Sequence, residues 1–200
     1  MSEQAFKADL CRYLKSARES VVWKLDGLAE YELRRPLVRT GTNLLGLVKH
    51  LTAVEYGYFG ETFGRPSPDQ PDYDFDADPN ADFIAETHES REGIIGAYQK
   101  AWRHADATIS ELPLDAVGHV PWWPQERAEV TLHHIIVRVV EETGHHAGHA
   151  DIIRELIDGA IGLHPDRPNL AFEECDAHRA FYDRAERTAR DAAGMQPGQP

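Results

Sequence analysis

Three side chains able to bind a cation, Glu142, His146 and His149, lie three and four residues apart in the segment 132–156. They interrupt a series that is otherwise apolar: Leu132, Ile135 and Val139 before them, Ile153 and Leu156 after. Spacings that alternate three and four put all eight positions on one face of a helix, which predicts an inward seam. A glutamate and two histidines on such a seam need partners, because burying one unpaired costs on the order of several kcal/mol. A divalent cation is the most economical shared partner. Glu142 and His146 are four apart, so their side chains sit one above the other and can converge on one ion.

A third ligand must come from another helix. His50 lies three residues after Leu47 and four before Val54, again on an apolar stripe. His50, Glu142 and His146 would form a two-histidine, one-carboxylate site with positions left open, the pattern of catalytic rather than structural metals. Zinc is the foremost candidate, and nickel, manganese and iron suit the same donors. His145 and His149 make a second four-residue pair, but His145 is rotated by about 100° from His146 and leaves the seam. His149 stays on it, as a ligand, a neighbour that orients His146, or a substrate contact. The zinc-protease pattern HExxH is absent, since no histidine precedes Glu142 by one residue. A lone helical histidine is ordinarily a surface or satisfied core residue, so the other seven of the eleven in the chain receive no role.

The elements that must position these groups read as helices. Phe6, Leu10, Tyr13, Leu14, Ala17, Val21, Leu25 and Leu28 predict a first helix over about 2–28. A second starts near Thr42, capped by Thr42 or Gly41, and ends at Gly64-Arg65-Pro66. Residues 66–79, PSPDQPDYDFDADP, read as an acidic surface loop with Tyr73 and Phe75 as anchors. A third helix is expected over about 81–109, and a fourth over about 131–158 with Gly159 ending it. Between them, Trp122 and Trp123 stand among prolines and either line a pocket or plug the bundle. A polar helix follows over about 170–192. No strand alternation is visible. The fold expected is an all-α antiparallel four-helix bundle with an extra C-terminal helix, one domain over 1–195 and a frayed tail at 196–200.

Composition narrows the function. Lys and Arg number 21 against 34 Asp and Glu, a net charge of -13. That excess argues against nucleic acid, whose phosphates demand basic clusters, and against an anionic membrane surface. The partner expected is a small molecule. No long apolar run suggests a membrane span, and the first residues lack the pattern of a signal peptide. Two cysteines, Cys11 and Cys175, suit a reducing cytoplasm. Neither reads as a nucleophile: Cys11 lies within a helix, and acids flank Cys175, which raises a thiol's pKa. Glycine-rich phosphate loops and the GxSxG elbow are absent.

At three segments the chain resembles the DinB superfamily: WKLDGL (Trp23 to Leu28), GTNLLGLVKHLTAVEYGYF (Gly41 to Phe59) and EETGHHAGHADIIRELIDG (Glu141 to Gly159). The similarity is to the actinobacterial mini-circle-protein-like branch, related to mycothiol-dependent maleylpyruvate isomerase and to thiol S-transferases. It implies a four-helix bundle, a divalent metal between helices, and a homodimer. In that isomerase the ligands come from the second helix and from a glutamate and histidine four apart on the fourth. These fall here on His50, Glu142 and His146. Many relatives have histidine where this chain has Glu142. The resemblance implies a metal-dependent thiol S-transferase or isomerase, in which a low-molecular-weight thiol such as mycothiol supplies the nucleophile that the chain lacks. Glu55, Asp151 and Arg154 are then candidates for substrate contact or for orienting the ligands. The alternatives are a metal-dependent hydrolase using bound water, and a non-enzymatic, metal-stabilised dimer that binds a small molecule.

Overall fold

The structure, a computed structural model, describes residues 2–168 and 175–195. They fall into two compact units divided after Pro168, each described by itself.

The first unit is a bundle of four long helices: α1 (Glu3–Trp23), α3 (Leu44–Phe59), α4 (Arg91–Glu111) and α5 (Leu132–Asp158), with a short α2 (Glu30–Arg34) after the first. Each long helix opens on a side chain that accepts from an otherwise orphaned backbone N–H: Ser2, Asn43, Ser90 and Thr131. Asn43, rather than Thr42 or Gly41, caps α3. α5 ends at Gly159 as the sequence predicts, in the left-handed conformation (φ 81°). The all-α bundle is thus present, with α5 packed on α1 and α3, and α3 on α4.

The core divides along the helices. One apolar cluster gathers Val21, Leu47, Val48, Leu51, Tyr98, Ala147 and Ala150, and a second gathers Leu14, Tyr58, Phe59, Ala105, Ile135 and Val139. On three helices a buried polar residue stands between the two: Arg18 on α1, Glu55 on α3 and Thr143 on α5. Arg18 donates to both Glu55 oxygens, Nε at 2.6 Å and Nη2 at 2.7 Å, and to Asp106 of α4 at 2.8 Å. One guanidinium thereby ties three helices together.

Three expectations are corrected. α4 begins at Arg91, not near 81; the residues before it form turns that lie against α3. The Ser90 side chain, which accepts from the Gly93 N–H, sets that boundary, and Arg34 holds the carbonyls of Ala85, Glu86 and Glu89 just before it. α1 stops at Trp23, short of Leu28, and Gly27 takes a positive φ in the turn that follows. A two-stranded antiparallel sheet also exists: β1 (Val117–His119) pairs with β2 (Glu129–Thr131), with Gly118 opposite Val130. Strands of three residues are too short to show alternation in sequence. β2 runs directly into α5.

The second unit contains α6 (Cys175–Ala192), a polar helix braced by pairs such as Arg190 with Glu186, 2.7 Å. The expected start of this helix at 170 and the tail at 196–200 lie outside the described residues. No helix of the described residues is long and apolar enough to cross a membrane.

Candidate metal centre

The eight-residue seam on α5 faces inward except at His149 and Leu156. Leu132, Ile135 and Val139 are buried, His146 is buried and Glu142 half-buried, whereas His149 is exposed and Leu156 is 61% exposed. A strict seven-residue repeat drifts by about 20° per heptad around a straight helix. Toward the end of α5 the buried stripe has moved to Ala147, Ala150, Ile153 and Arg154.

What the bundle brings together is His50 of α3 with Glu142 and His146 of α5. One nitrogen or oxygen from each lies within 4.8 Å of the others. Both imidazoles present Nε2 to the same carboxylate oxygen: His146 at 3.1 Å and His50 at 3.5 Å from Glu142 Oε1. The other oxygen, Oε2, pairs with Arg138 one turn earlier at 2.7 Å. These contacts hold the Glu142 carboxyl far below the usual carboxylate range, with His146 the largest cause and His50 next. Burial disfavours a charged His50, but its hydrogen bonds with Asp82 and Glu142 outweigh burial and raise its pKa.

The outer nitrogens are also held. His50 Nδ1 lies 2.7 Å from Asp82 Oδ2, and the His50 ring stacks on Phe83 with centroids 4.2 Å apart. Asp82 is buried. With Nδ1–H donated to Asp82, a neutral His50 turns the Nε2 lone pair toward the Glu142 carboxylate. Two nitrogens and an oxygen facing one another in this way suit a divalent cation between them, and a carboxylate behind a ligating histidine is the usual support for one. His146 Nδ1 faces His149 Nδ1 at 3.3 Å. The His149 imidazole is shifted down by burial and by His145 and His146, so it suits the neutral acceptor of that bond.

Asp82 and Phe83 reach the site because residues 82–84 are strapped to α3. Asn43 Nδ2 donates to the Phe83 carbonyl at 3.3 Å and Lys49 Nζ to the Ile84 carbonyl at 2.6 Å. Between them, a Cβ on Gly46 would stand 2.0 Å from the Phe83 carbonyl oxygen, so only glycine lets the strap lie this close.

His50 and Glu142 open onto a cavity of about 650 Å³. Its walls include Tyr58, Tyr73, Phe75, Phe83 and Trp122. The 66–79 loop therefore forms part of the site through Gln70, Pro71, Asp72, Tyr73 and Phe75. The tryptophan pair splits. Trp122 lines the cavity, its ring against Gly57, where a Cβ would meet it at 2.8 Å. Trp123 packs on the second apolar cluster.

Glu55, Asp151 and Arg154 do not line this cavity. Glu55 is fully buried against Arg18. Asp151 holds Lys24 and accepts from the Gly162 N–H at 2.8 Å. Arg154 grips Asp158 and the carbonyls of Lys24 and Asp26, each at 2.8 Å. Cys11 does not line it either, and burial, with Asp106 next, pushes its thiol pKa up. Sequence reasoning missed Asp82, Phe83 and Arg138. Arg138 carried a signal, its four-residue spacing to Glu142. Asp82 carried none that separates it from its acidic neighbours.

A family model described as mycothiol-S-transferase matches residues 9–159 of the chain. No curated protein matches it. The matched segment contains His50, Glu142 and His146, together with the strap and the cavity walls.

Proposed function

Because this chain belongs to the mycothiol S-transferase family, we propose that it transfers a small electrophile onto the sulfur of mycothiol at a divalent-metal site formed by His50, Glu142 and His146. The observation that carries this reading is the convergence of the two Nε2 atoms on Glu142 Oε1 at the edge of a cavity large enough for a small molecule. A divalent cation held there supplies positive charge that favours the thiolate form of an incoming thiol at neutral pH.

The chain's own residues provide the rest. Asp82 and His149 fix the ring orientations of His50 and His146, and Arg138 holds the free oxygen of Glu142. Phe83 covers one face of His50 and keeps water from it. The aromatic walls bury the electrophile beside the thiol, which supplies proximity and orientation. The sulfur forms its bond to the electrophilic carbon as the leaving group departs with the bonding pair, and the thiol proton passes to solvent. The nucleophile comes from outside the chain, in keeping with the Cys11 thiol, which does not line the cavity and has a raised pKa.

The test uses untagged protein with zinc, mycothiol and monochlorobimane. Metal-dependent formation of the fluorescent thioether, abolished by chelation and by His50→Ala, supports the proposal. Hydrolysis or no turnover in the presence of thiol would count decisively against it.

A further inference from the structure

The cavity beside the triad has a composition that selects by charge as well as shape. Its aromatic wall is made by Tyr58, Trp122, Tyr73 and Phe75, with Tyr58 and Trp122 edge-to-face at 5.3 Å and Tyr73 and Phe75 tilted at 5.8 Å. Trp122 and Phe75 are about half exposed, so ring surface remains open to a ligand. The charged lining comprises four carboxylates, Glu61, Asp72, Asp82 and Glu142, against one guanidinium, Arg138. Arg138 is already committed to Glu141 and Glu142. Glu61 and Asp72 form no ion pair among the described residues; Glu61 accepts only from the Gln70 amide. A divalent cation in the triad would still leave this lining one negative charge from neutral. Three further aspartates of the loop, 74, 76 and 78, add to the same potential, whereas Asp69 is paired with Lys100 at 3.3 Å. The open faces of aromatic rings are themselves negative and attract cations.

We infer that this cavity takes flat aromatic electrophiles that are positively charged in preference to anionic ones, with Glu61 and Asp72 as the residues that set the preference. The inference rests on the S-transferase reading for the word electrophile, but the charge selection is a property of the wall. An anionic substrate would need an uncommitted Arg or Lys on the lining, and the lining holds none. A cationic aromatic finds rings for its body and two unpaired carboxylates for its charge.

The experiment has two arms. In the first, phenyltrimethylammonium and benzenesulfonate are titrated calorimetrically into the full-length, zinc-loaded protein without thiol. The expected result is at least fivefold tighter binding of the cation, a ratio that falls as salt is raised and falls toward one in the Glu61→Gln/Asp72→Asn double variant. Equal affinities, tighter sulfonate binding, or a ratio that the double variant leaves intact would overturn the inference. In the second arm, conjugation of mycothiol to monobromobimane is compared with conjugation to its trimethylammonium-bearing analogue, each corrected for the uncatalysed reaction. A higher kcat/KM for the cation is expected, and a lower one overturns the inference. Absence of turnover with both probes defeats the S-transferase reading, and the first arm then still decides the selectivity of the wall.

Discussion

Asp82 Oδ2 sits 2.7 Å from His50 Nδ1, on the side of the imidazole away from Glu142 and His146. A segment between helices thus reaches α3 to fix the tautomer and tilt of a half-buried residue at the cavity wall. The bond makes Asp82 a positioning residue for the candidate metal centre. Its substitution by Asn should leave the fold intact and weaken metal binding by about 10- to 100-fold. Competition with a chromophoric zinc chelator measures this, and unchanged affinity would remove Asp82 from the site.

The triad itself predicts one divalent ion per chain. His50→Ala, Glu142→Ala and His146→Ala should each lose most bound metal, because three donors leave little redundancy. Metal analysis of untagged wild type and variants checks it; equal metal in all four would show that the ion lies elsewhere.

Gly46 predicts a coupling between packing and the site. Alanine at an ordinary helix interior position stabilises by about 0.5–1 kcal/mol relative to glycine. Here the Cβ would meet the Phe83 carbonyl at 2.0 Å. The clash should win, with Gly46→Ala costing about 1–3 kcal/mol and lowering metal affinity by shifting Asp82. Thermal unfolding with and without zinc separates the two effects.

Glu55 is expected to be structural. Glu55→Ala removes both buried bonds of the Arg18 guanidinium, leaving it only the exposed Asp106 carboxylate, and should cost about 3 kcal/mol, while an apolar replacement of both partners should recover much of that loss. Chemical denaturation of the two variants reads it out. Protein that remains folded should keep its metal, since Glu55 touches none of the triad's contacts.

Cys11 supplies a pH prediction. Burial and Asp106 raise its pKa, despite Arg18 and Lys7 acting in the opposite sense. Its thiolate therefore forms only above the pH at which an ordinary thiol ionises. In a Cys175→Ser background, the alkylation rate of Cys11 by iodoacetamide should rise with a midpoint shifted to higher pH than that of a free thiol. Conjugation should survive Cys11→Ser, because the cavity does not include that thiol.

The sequence by itself determined the helical class, the glycine that ends α5, and the trio His50, Glu142 and His146. These are local or periodic matters: apolar spacing sets a helix face, and a four-residue interval puts two side chains together whatever the rest of the chain does. Only the tertiary structure decided what surrounds the trio. Asp82 lies 32 residues from His50, in a stretch rich in aspartate, and nothing local marks it as the one that is buried. Glu55 reads as a candidate for the site and Arg18 as an ordinary helix residue until α1 and α3 meet and the pair is sealed between two apolar clusters. His149 and Leu156 follow the seam in the sequence, yet the drift of a 3.6-residue helix against a seven-residue repeat turns them outward. Side-chain chemistry and period are written along the chain; burial, and with it the charge and water that each group meets, exists only once the helices and the strap have packed.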